Sequence, residues 1–442
     1  MGFLKNSISI TINRIATAGL ALVISAVSAR LLSLNEMGAI IAVTSSVGLL
    51  IRVVSLGLGQ SAQYFGSREI VVRKSFAASL IAASVPLIIT SFFILFVLGA
   101  DLGMILFPGN QTAQDVFSLL KYGVPLALCH FLASVYFLGK RQMRMYFRLS
   151  VLPLLASVVV LLIGIAFKKS GFYLVILSWA AQYLVSFVMG GVFIFRQARL
   201  KTDISRPIIG ELYVYGFRSF GVFLAAFAVS NISPLVGTWF TTSGEVGVFG
   251  VGQTFASALL LVYGAIGPLV FSYVGGMQDP KVHIPFIERT SRVSVLLFLI
   301  SSFIIAVVAP FGIPLIFGYK YIDSYVVVWI LLLGIFCSGI QRILENYLYG
   351  RNQQGLLIIG HAINIGILIL GASVFAPVWG AQGVACASSL SYMGSLVFTI
   401  GLVYHTDGIS PVKLLLPNYG DFQFLKERVR DLKLNYATRI DK

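Results

Sequence analysis

The sequence predicts an all-α polytopic membrane protein: twelve transmembrane helices in two parallel six-helix lobes around a central cavity, with both termini cytoplasmic. Three observations carry this. Of the 442 residues, 58% are hydrophobic and only 11% charged, whereas a soluble domain carries about 25% charged residues. Twelve stretches reach the roughly 20 mostly apolar residues that a helix needs to cross the hydrocarbon. Lys and Arg gather on alternate connecting segments, as they do on the cytoplasmic side of membrane proteins.

In order, the spans are expected at about 8–29, 37–58, 76–99, 118–138, 149–167, 172–195, 214–240, 247–274, 293–309, 326–345, 355–376 and 380–403. Helices are the economical spanning form, because an open strand leaves backbone groups unsatisfied in lipid. No segment shows the ten-residue alternation of a membrane barrel. The first stretch ends in Val27-Ser28-Ala29, which is similar to a signal-peptidase site. It is too long for the apolar region of a signal peptide and is read as a span.

With the N-terminus inside, 23 of the 32 Lys and Arg fall in cytoplasmic segments, five in outer loops (Arg30, Lys121, Lys168, Lys169, Lys320) and four within spans. The net charge of +16 is therefore read as topology and as attraction to anionic inner-leaflet lipids, not as a nucleic-acid surface. Cys129, Cys337 and Cys386 lie in apolar runs and imply no disulfide framework. After His405 the chain leaves the membrane, and Phe422, Leu425, Val429 and Leu432 recur at helical spacing among basic residues. That pattern predicts an amphipathic helix on the inner membrane surface.

The two halves share a plan at a shift of about 210. Glu36-Met37-Gly38 opens the second span and Glu245-Val246-Gly247 the eighth. Tyr136-Phe137-Leu138-Gly139-Lys140 closes the fourth and Tyr347-Leu348-Tyr349-Gly350-Arg351 the tenth. Gly171, Tyr183, Ser186 and Val188 match Gly380, Tyr392, Ser395 and Val397. Six spans per unit make the repeats parallel, the geometry of lobes that rock about a central site. The expected divisions are 1–205 and 206–404 for the lobes and 405–442 for the basic tail.

Four arginines lie within spans: Arg14, Arg52, Arg218 and Arg342. Each costs about 2.5–3.5 kcal/mol at a helix centre, and each sits on a stripe of small or polar residues, so a shared polar cavity is expected. All four belong to the cytoplasmic half. Snorkelling to the headgroups is the competing reading for Arg52 and Arg342. Glu345 is the one carboxylate clearly inside a span, spaced to pair with Arg342; it is the candidate for a coupling ion. Asn231, Gln253, His361 and Asn364 are candidate hydrogen-bonding groups for a sugar, while His130 reads as a core residue. A cavity of this charge attracts anions, and the planar fork of arginine grips phosphate oxygens at two points.

Ala29-Arg30-Leu31-Leu32 and Glu36-Met37-Gly38 begin a series of loose motifs. Gly57-Leu58-Gly59-Gln60, Gly247-Val248-Phe249-Gly250 and Pro314-Leu315-Ile316-Phe317-Gly318-Tyr319 follow. Asn364 and Gly380-Ala381-Gln382-Gly383-Val384-Ala385 complete it. In these the chain, up to about residue 403, resembles the polysaccharide-biosynthesis (O-antigen type) flippases of the multidrug/oligosaccharidyl-lipid/polysaccharide exporter superfamily. Ser33 replaces a common Gly and Phe249 a common Tyr. The resemblance implies movement of an undecaprenyl-diphosphate-linked oligosaccharide from the inner to the outer leaflet of a bacterial cytoplasmic membrane. A glycan polymerase and other assembly proteins are the partners it implies.

The four arginines are expected to hold the diphosphate. No catalytic residue, cofactor or metal site is expected. A cation-coupled multidrug exporter of the same superfamily is the main alternative, disfavoured by the scarcity of membrane carboxylates. A membrane enzyme of glycan polymerisation is a weaker one, because no large outer loop is present.

Overall fold

A computed structural model describes residues 2–66, 75–140, 142–167, 171–198, 204–275, 279–351, 353–421 and 423. The amphipathic helix expected around Phe422–Leu432 lies largely outside them, as do the loop cations Arg68, Arg73, Lys74, Arg141, Lys168, Lys169, Arg199 and Lys201. Every regular element among the described residues is helical, as a lipid environment demands.

The first half contains α1 (Gly2–Leu31), α2 (Leu34–Val54), α3 (Leu58–Gly66), α4 (Ser75–Val97), α5 (Gly99–Leu106), α6 (Gln111–Leu120), α7 (Gly123–Gly139), α8 (Met143–Ala166) and α9 (Phe172–Ala198). The second contains α10 (Arg206–Asn231), α11 (Ser233–Phe240), α12 (Ser243–Ala256), α13 (Leu260–Gly275), α14 (Pro280–Phe317), α15 (Ser324–Gly350) and α16 (Leu357–Asp407). The short α17 (Pro411–Leu415) follows. By length and apolarity ten of the described helical stretches can cross a membrane, and α6–α7, bent by 54°, makes an eleventh. At 51 residues α16 is far too long for one crossing. Gly380, at φ 53°, folds it into two limbs. The limbs run antiparallel: Gly360 lies against Phe398, Gly371 against Ala387 and Gly383 against the Phe375 backbone. With the two limbs counted separately, the described residues supply twelve stretches that can cross.

Several expected spans are broken where the sequence read as continuous. The second is split at Leu56 and Gly57, both at positive φ, into α2 and α3. Gly57 has no room for a Cβ because the Gly216 carbonyl lies against it. The seventh is interrupted at Ile232 before Pro234. The eighth passes through a 3₁₀ turn at Ser257–Leu259.

The duplication is visible in how helices begin. Ser33 and Glu36 form a capping box at the start of α2, and Thr242 accepts from the Glu245 amide at the start of α12, which satisfies amide groups left free by the helix ends. These two helices meet across the lobes reciprocally. Gly38 packs on the Ser243 carbonyl and Gly247 on that of Leu34. A contact of i with j and of j with i marks a two-fold relation, so the pseudo-axis runs between α2 and α12.

By the charge rule the end carrying Lys140, Arg206 and Arg351 is the inner one. Helix α10 spans both lobes. Leu212, near its inner end, is buried in the same apolar cluster as Leu58, Phe76 and Leu132 of the first lobe. Ser61 Oγ donates to the Leu212 carbonyl at 2.7 Å, and Tyr213 Oη to that of Ala83 at 2.6 Å. At the other end of this span, Val236 of α11 joins Leu368, Ala372 and Ala387 of the second lobe.

Past α16 the chain doubles back over α14. Ile409 and Leu414 are buried, and Arg292 donates to the Lys413 carbonyl at 3.0 Å and to both carboxylate oxygens of Asp421, at 2.7 and 3.2 Å.

Candidate substrate cavity

Between the lobes lies a cavity of about 280 Å³. One wall is the broken second span, which contributes Arg52, Ser55, Gly57 and Gln60. The other is α10, through residues such as Phe220, Phe227 and Ser230, and Arg342 of α15 completes the lining. The break at Leu56–Gly57 turns the chain so that both Arg52 and Gln60 face one space.

Arg52 is held by rings. Its guanidinium carbon lies 4.1 Å from the centroid of Phe131 in α7 and 4.7 Å from that of Phe227 in α10. Phe131 reaches it because position 59 is glycine; a Cβ there would stand 2.5 Å from the ring. Cation–π contact attracts the flat faces of the guanidinium and leaves its edge of N–H donors for an anion. No carboxylate pairs with Arg52 among the described residues.

Arg342 is aimed by hydroxyls. Its Nη2 donates to Ser230 Oγ at 2.7 Å and its Nε to Ser338 Oγ at 3.3 Å. The ring of Tyr263 lies 5.7 Å away. The expected pairing with Glu345 is not made as a direct ion pair. Arg342 faces the cavity, whereas Glu345 is turned into the second lobe, where it accepts from Gln341 Nε2 at 2.8 Å. His361 Nδ1 lies 3.9 Å from its carboxylate.

The remaining expected residues are placed elsewhere. Arg14 is exposed on α1, its guanidinium beside Gly264 of α13, and Arg218 is exposed on α10. Neither lines this cavity. Asn231 donates to its own helix at the Phe227 carbonyl, 2.9 Å away. Gln253 is half-buried on α12, off the cavity wall. His361 and Asn364, 2% and 0% exposed, are sealed between α15 and α16, and neither of their side chains finds a hydrogen-bond partner among the described residues. His130 makes a 2.7 Å hydrogen bond with the Leu149 carbonyl, as a core histidine does. Sequence reasoning missed Phe131, Phe227 and Ser230, because aromatic and serine residues in apolar helices carry no mark that separates a cation clamp from packing.

A family model described as "Polysaccharide biosynthesis protein" matches residues 3–271, more than half of the chain. The chain belongs to this polysaccharide biosynthesis protein family. No curated protein matches its sequence. Among solved structures, its fold is similar to an inward-facing multidrug resistance MATE family transporter of the MOP superfamily. The TM-score is 0.75 at 15% identity, over 89% of this chain and 94% of that one. It is also similar to the lipid II flippase MurJ in an inward closed conformation, with TM-score 0.70 at 14% identity, over 90% of this chain and 87% of that one. An outward-facing MATE transporter of the same superfamily overlays with a TM-score of 0.58 at 15% identity, over 92% of this chain and 95% of that one. These likenesses show that this multi-pass member of the polysaccharide biosynthesis family has the all-helical fold that those proteins share.

Proposed function

We propose that this protein carries an undecaprenyl-diphosphate-linked oligosaccharide from the inner to the outer leaflet of a bacterial cytoplasmic membrane by alternating access. The observation that carries the proposal is one inter-lobe cavity holding two arginines, Arg52 and Arg342, with no carboxylate in its lining among the described residues. Such a space selects for an anion, and a diphosphate offers the oxygens that two guanidinium forks can grip. The polyprenyl chain stays in lipid, and Ser55, Gln60 and Ser230 offer donors and acceptors to the sugar. Arg14 and Arg218, exposed on helices of opposite lobes, supply further positive charge for an approaching diphosphate. Asn231, Gln253, His361 and Asn364 are sugar contacts only in a conformation that turns them to the cavity. A cationic drug would meet like charge here, which disfavours the exporter reading. Anionic inner-leaflet lipids and a glycan polymerase are proposed partners.

Arg52→Ala and Arg342→Ala should each lower the initial rate of flipping in proteoliposomes by roughly 10-fold or more, the worth of one charge-assisted hydrogen bond. Arg52→Lys should recover part of the loss. Full activity in Arg52→Ala/Arg342→Ala at normal protein level would overturn the diphosphate assignment.

For energy coupling we assign Glu345, buried with His361 Nδ1 3.9 Å from its carboxylate. Glu345→Gln should make flipping insensitive to an imposed proton or sodium gradient; a gradient response equal to wild type would remove Glu345 from that role.

A further inference from the structure

Among the described residues, four side chains donate five hydrogen bonds across the lobes at the outer end. Arg30, at the end of α1, donates through Nε to the Ile316 carbonyl at 3.0 Å and through Nη2 to that of Leu315. Trp239 of α11 donates through Nε1 to the Leu106 carbonyl at 3.0 Å. Lys320 donates to the Leu32 carbonyl, and Asn110 Nδ2 to Ser243 Oγ at 2.6 Å. The acceptors Leu106, Leu315 and Ile316 belong to the last turns of α5 and α14, where carbonyls lack partners within the helix.

These are not four unrelated contacts. The shift that relates the two halves carries Arg30 onto Trp239 and Leu106 onto Leu315, by 209 in each case. At the same shift Asn110 falls on Tyr319, next to Lys320, and Ser243 matches Leu34, two residues past Leu32, so this second pair corresponds in place and not residue for residue. In the Arg30 and Trp239 contacts both donor and acceptor match their counterparts, and in both pairs the direction across the lobes reverses. In one copy, Arg30 and Lys320, the donors are cations facing helix-end carbonyls, the placement a helix dipole favours. In the other, Trp239 and Asn110, the donors are neutral.

We propose that the outer gate is one clasp built twice, Arg30/Lys320 on one side of the pseudo-axis and Trp239/Asn110 on the other. Both copies hold the outer side shut while the cavity is accessible from the inner end, and both must release before the outer side opens. The reciprocal packing of Gly38 on Ser243 and Gly247 on Leu34 lies between the two copies, so the clasp closes over the axis on which the lobes turn.

A reporter lies in the same place. A Cβ built on Gly244 stands 3.7 Å from the Cβ of Leu34 across the lobes, within the range that a disulfide spans. In full-length protein with Cys129, Cys337 and Cys386 replaced by Ala, Leu34→Cys/Gly244→Cys should cross-link rapidly with copper phenanthroline. Its rate then measures how much of the population is closed outside. Arg30→Met/Lys320→Met removes one copy. Trp239→Phe/Asn110→Ser removes the other, and the shorter serine keeps a side-chain cap on α6.

Each pair should slow cross-linking by at least about 2- to 10-fold, the net worth of a single hydrogen bond, since the first pair removes three bonds and the second two. The four substitutions together should slow it further, and Arg30→Lys/Lys320→Arg should leave it near the parent rate. Rates unchanged in both pairs would overturn the gate, and an effect confined to one pair would overturn its duplication. A pair that fails to give monodisperse protein is replaced by its single substitutions, Arg30→Met and Trp239→Phe, judged by the same two criteria. No substrate is present, so the outcome is independent of what the cavity carries.

Discussion

Arg52 owes its position to residues that carry no charge. Phe131 of α7 and Phe227 of α10 both lie against its guanidinium, so the side chain reports on the distance between those two helices. Gly59 makes room for one of those rings and Gly57 for the turn that precedes it. At Gly57 two demands coincide: φ is 77°, and the Gly216 carbonyl occupies the place of a Cβ. Gly57→Ala should therefore destabilise the protein by about 1–3 kcal/mol from crowding, with a further penalty for the left-handed backbone. Thermal unfolding in detergent checks it, and an unchanged midpoint would contradict the tight α3–α10 contact. The charge of Arg52 was legible in the sequence, since an arginine in an apolar span is conspicuous. Its setting was not, because the two phenylalanines lie about 80 and 175 residues away and only the fold brings them together.

Among the elements, the segment that doubles back over α14 has the clearest chemistry. Burial alone would raise the pKa of Asp421. The Arg292 hydrogen bonds outweigh it, together with the Asn418 amide and the charges of Arg292 and Arg289, and hold the carboxyl below the usual aspartate range. A carboxyl lowered on folding contributes stability that is present above its ordinary value, near about 3.9, and is lost as pH falls through the lowered one. Amide exchange over residues 409–421 should stay slow from neutral pH down to about 5 and accelerate below about 4. In Asp421→Asn it should be fast at every pH, reflecting loss of on the order of 1.5–3 kcal/mol from a charge-assisted contact. Slow exchange in that variant would mean that Ile409 and Leu414 suffice to hold the segment.

The helix breaks mark how far local reading extends. Span existence follows from apolar length alone, and the repeated Glu-x-Gly marked where the second and eighth spans open, though not the caps that Ser33 and Thr242 provide there. The interruptions at Leu56, Ile232 and Ser257 were not, because the residues there are as apolar or as small as their neighbours, and tertiary contacts decide where a buried helix parts. The hairpin at Gly380 was read as two spans because a crossing is limited by membrane thickness, although the backbone continues helical on both sides of the bend.

For the whole molecule, the sequence's internal shift proved the most informative signal. It anticipated a parallel relation between halves, and the reciprocal Gly38–Ser243 and Gly247–Leu34 packing is that relation in atomic form. The charge layer was legible in part: two of its four arginines meet in the cavity, and the other two stand outside it on α1 and α10. If the lobes must part at the outer end during each cycle, joining them there should stop the cycle. Oxidised Leu34→Cys/Gly244→Cys should lose at least 10-fold in flipping rate, a barrier increase of about 1.4 kcal/mol or more, and should regain it on reduction. Undiminished flipping by the oxidised form would exclude lobe separation at that end.

The double allegiance of α10 and α11 bears on how such a cycle can run. The continuous path is rooted at Leu212 in one body and at Val236 in the other. Two blocks swinging stiffly past each other would tear one root. The seam at Ile232, already short of regular helix, offers the compliant joint instead. Phe220, Phe227 and Ser230, which face the cavity, all lie between the two roots. The walls of the cavity would thus be remoulded by the same stroke that exchanges its doors, loosening the rings against Arg52 and the hydroxyl on Arg342 together.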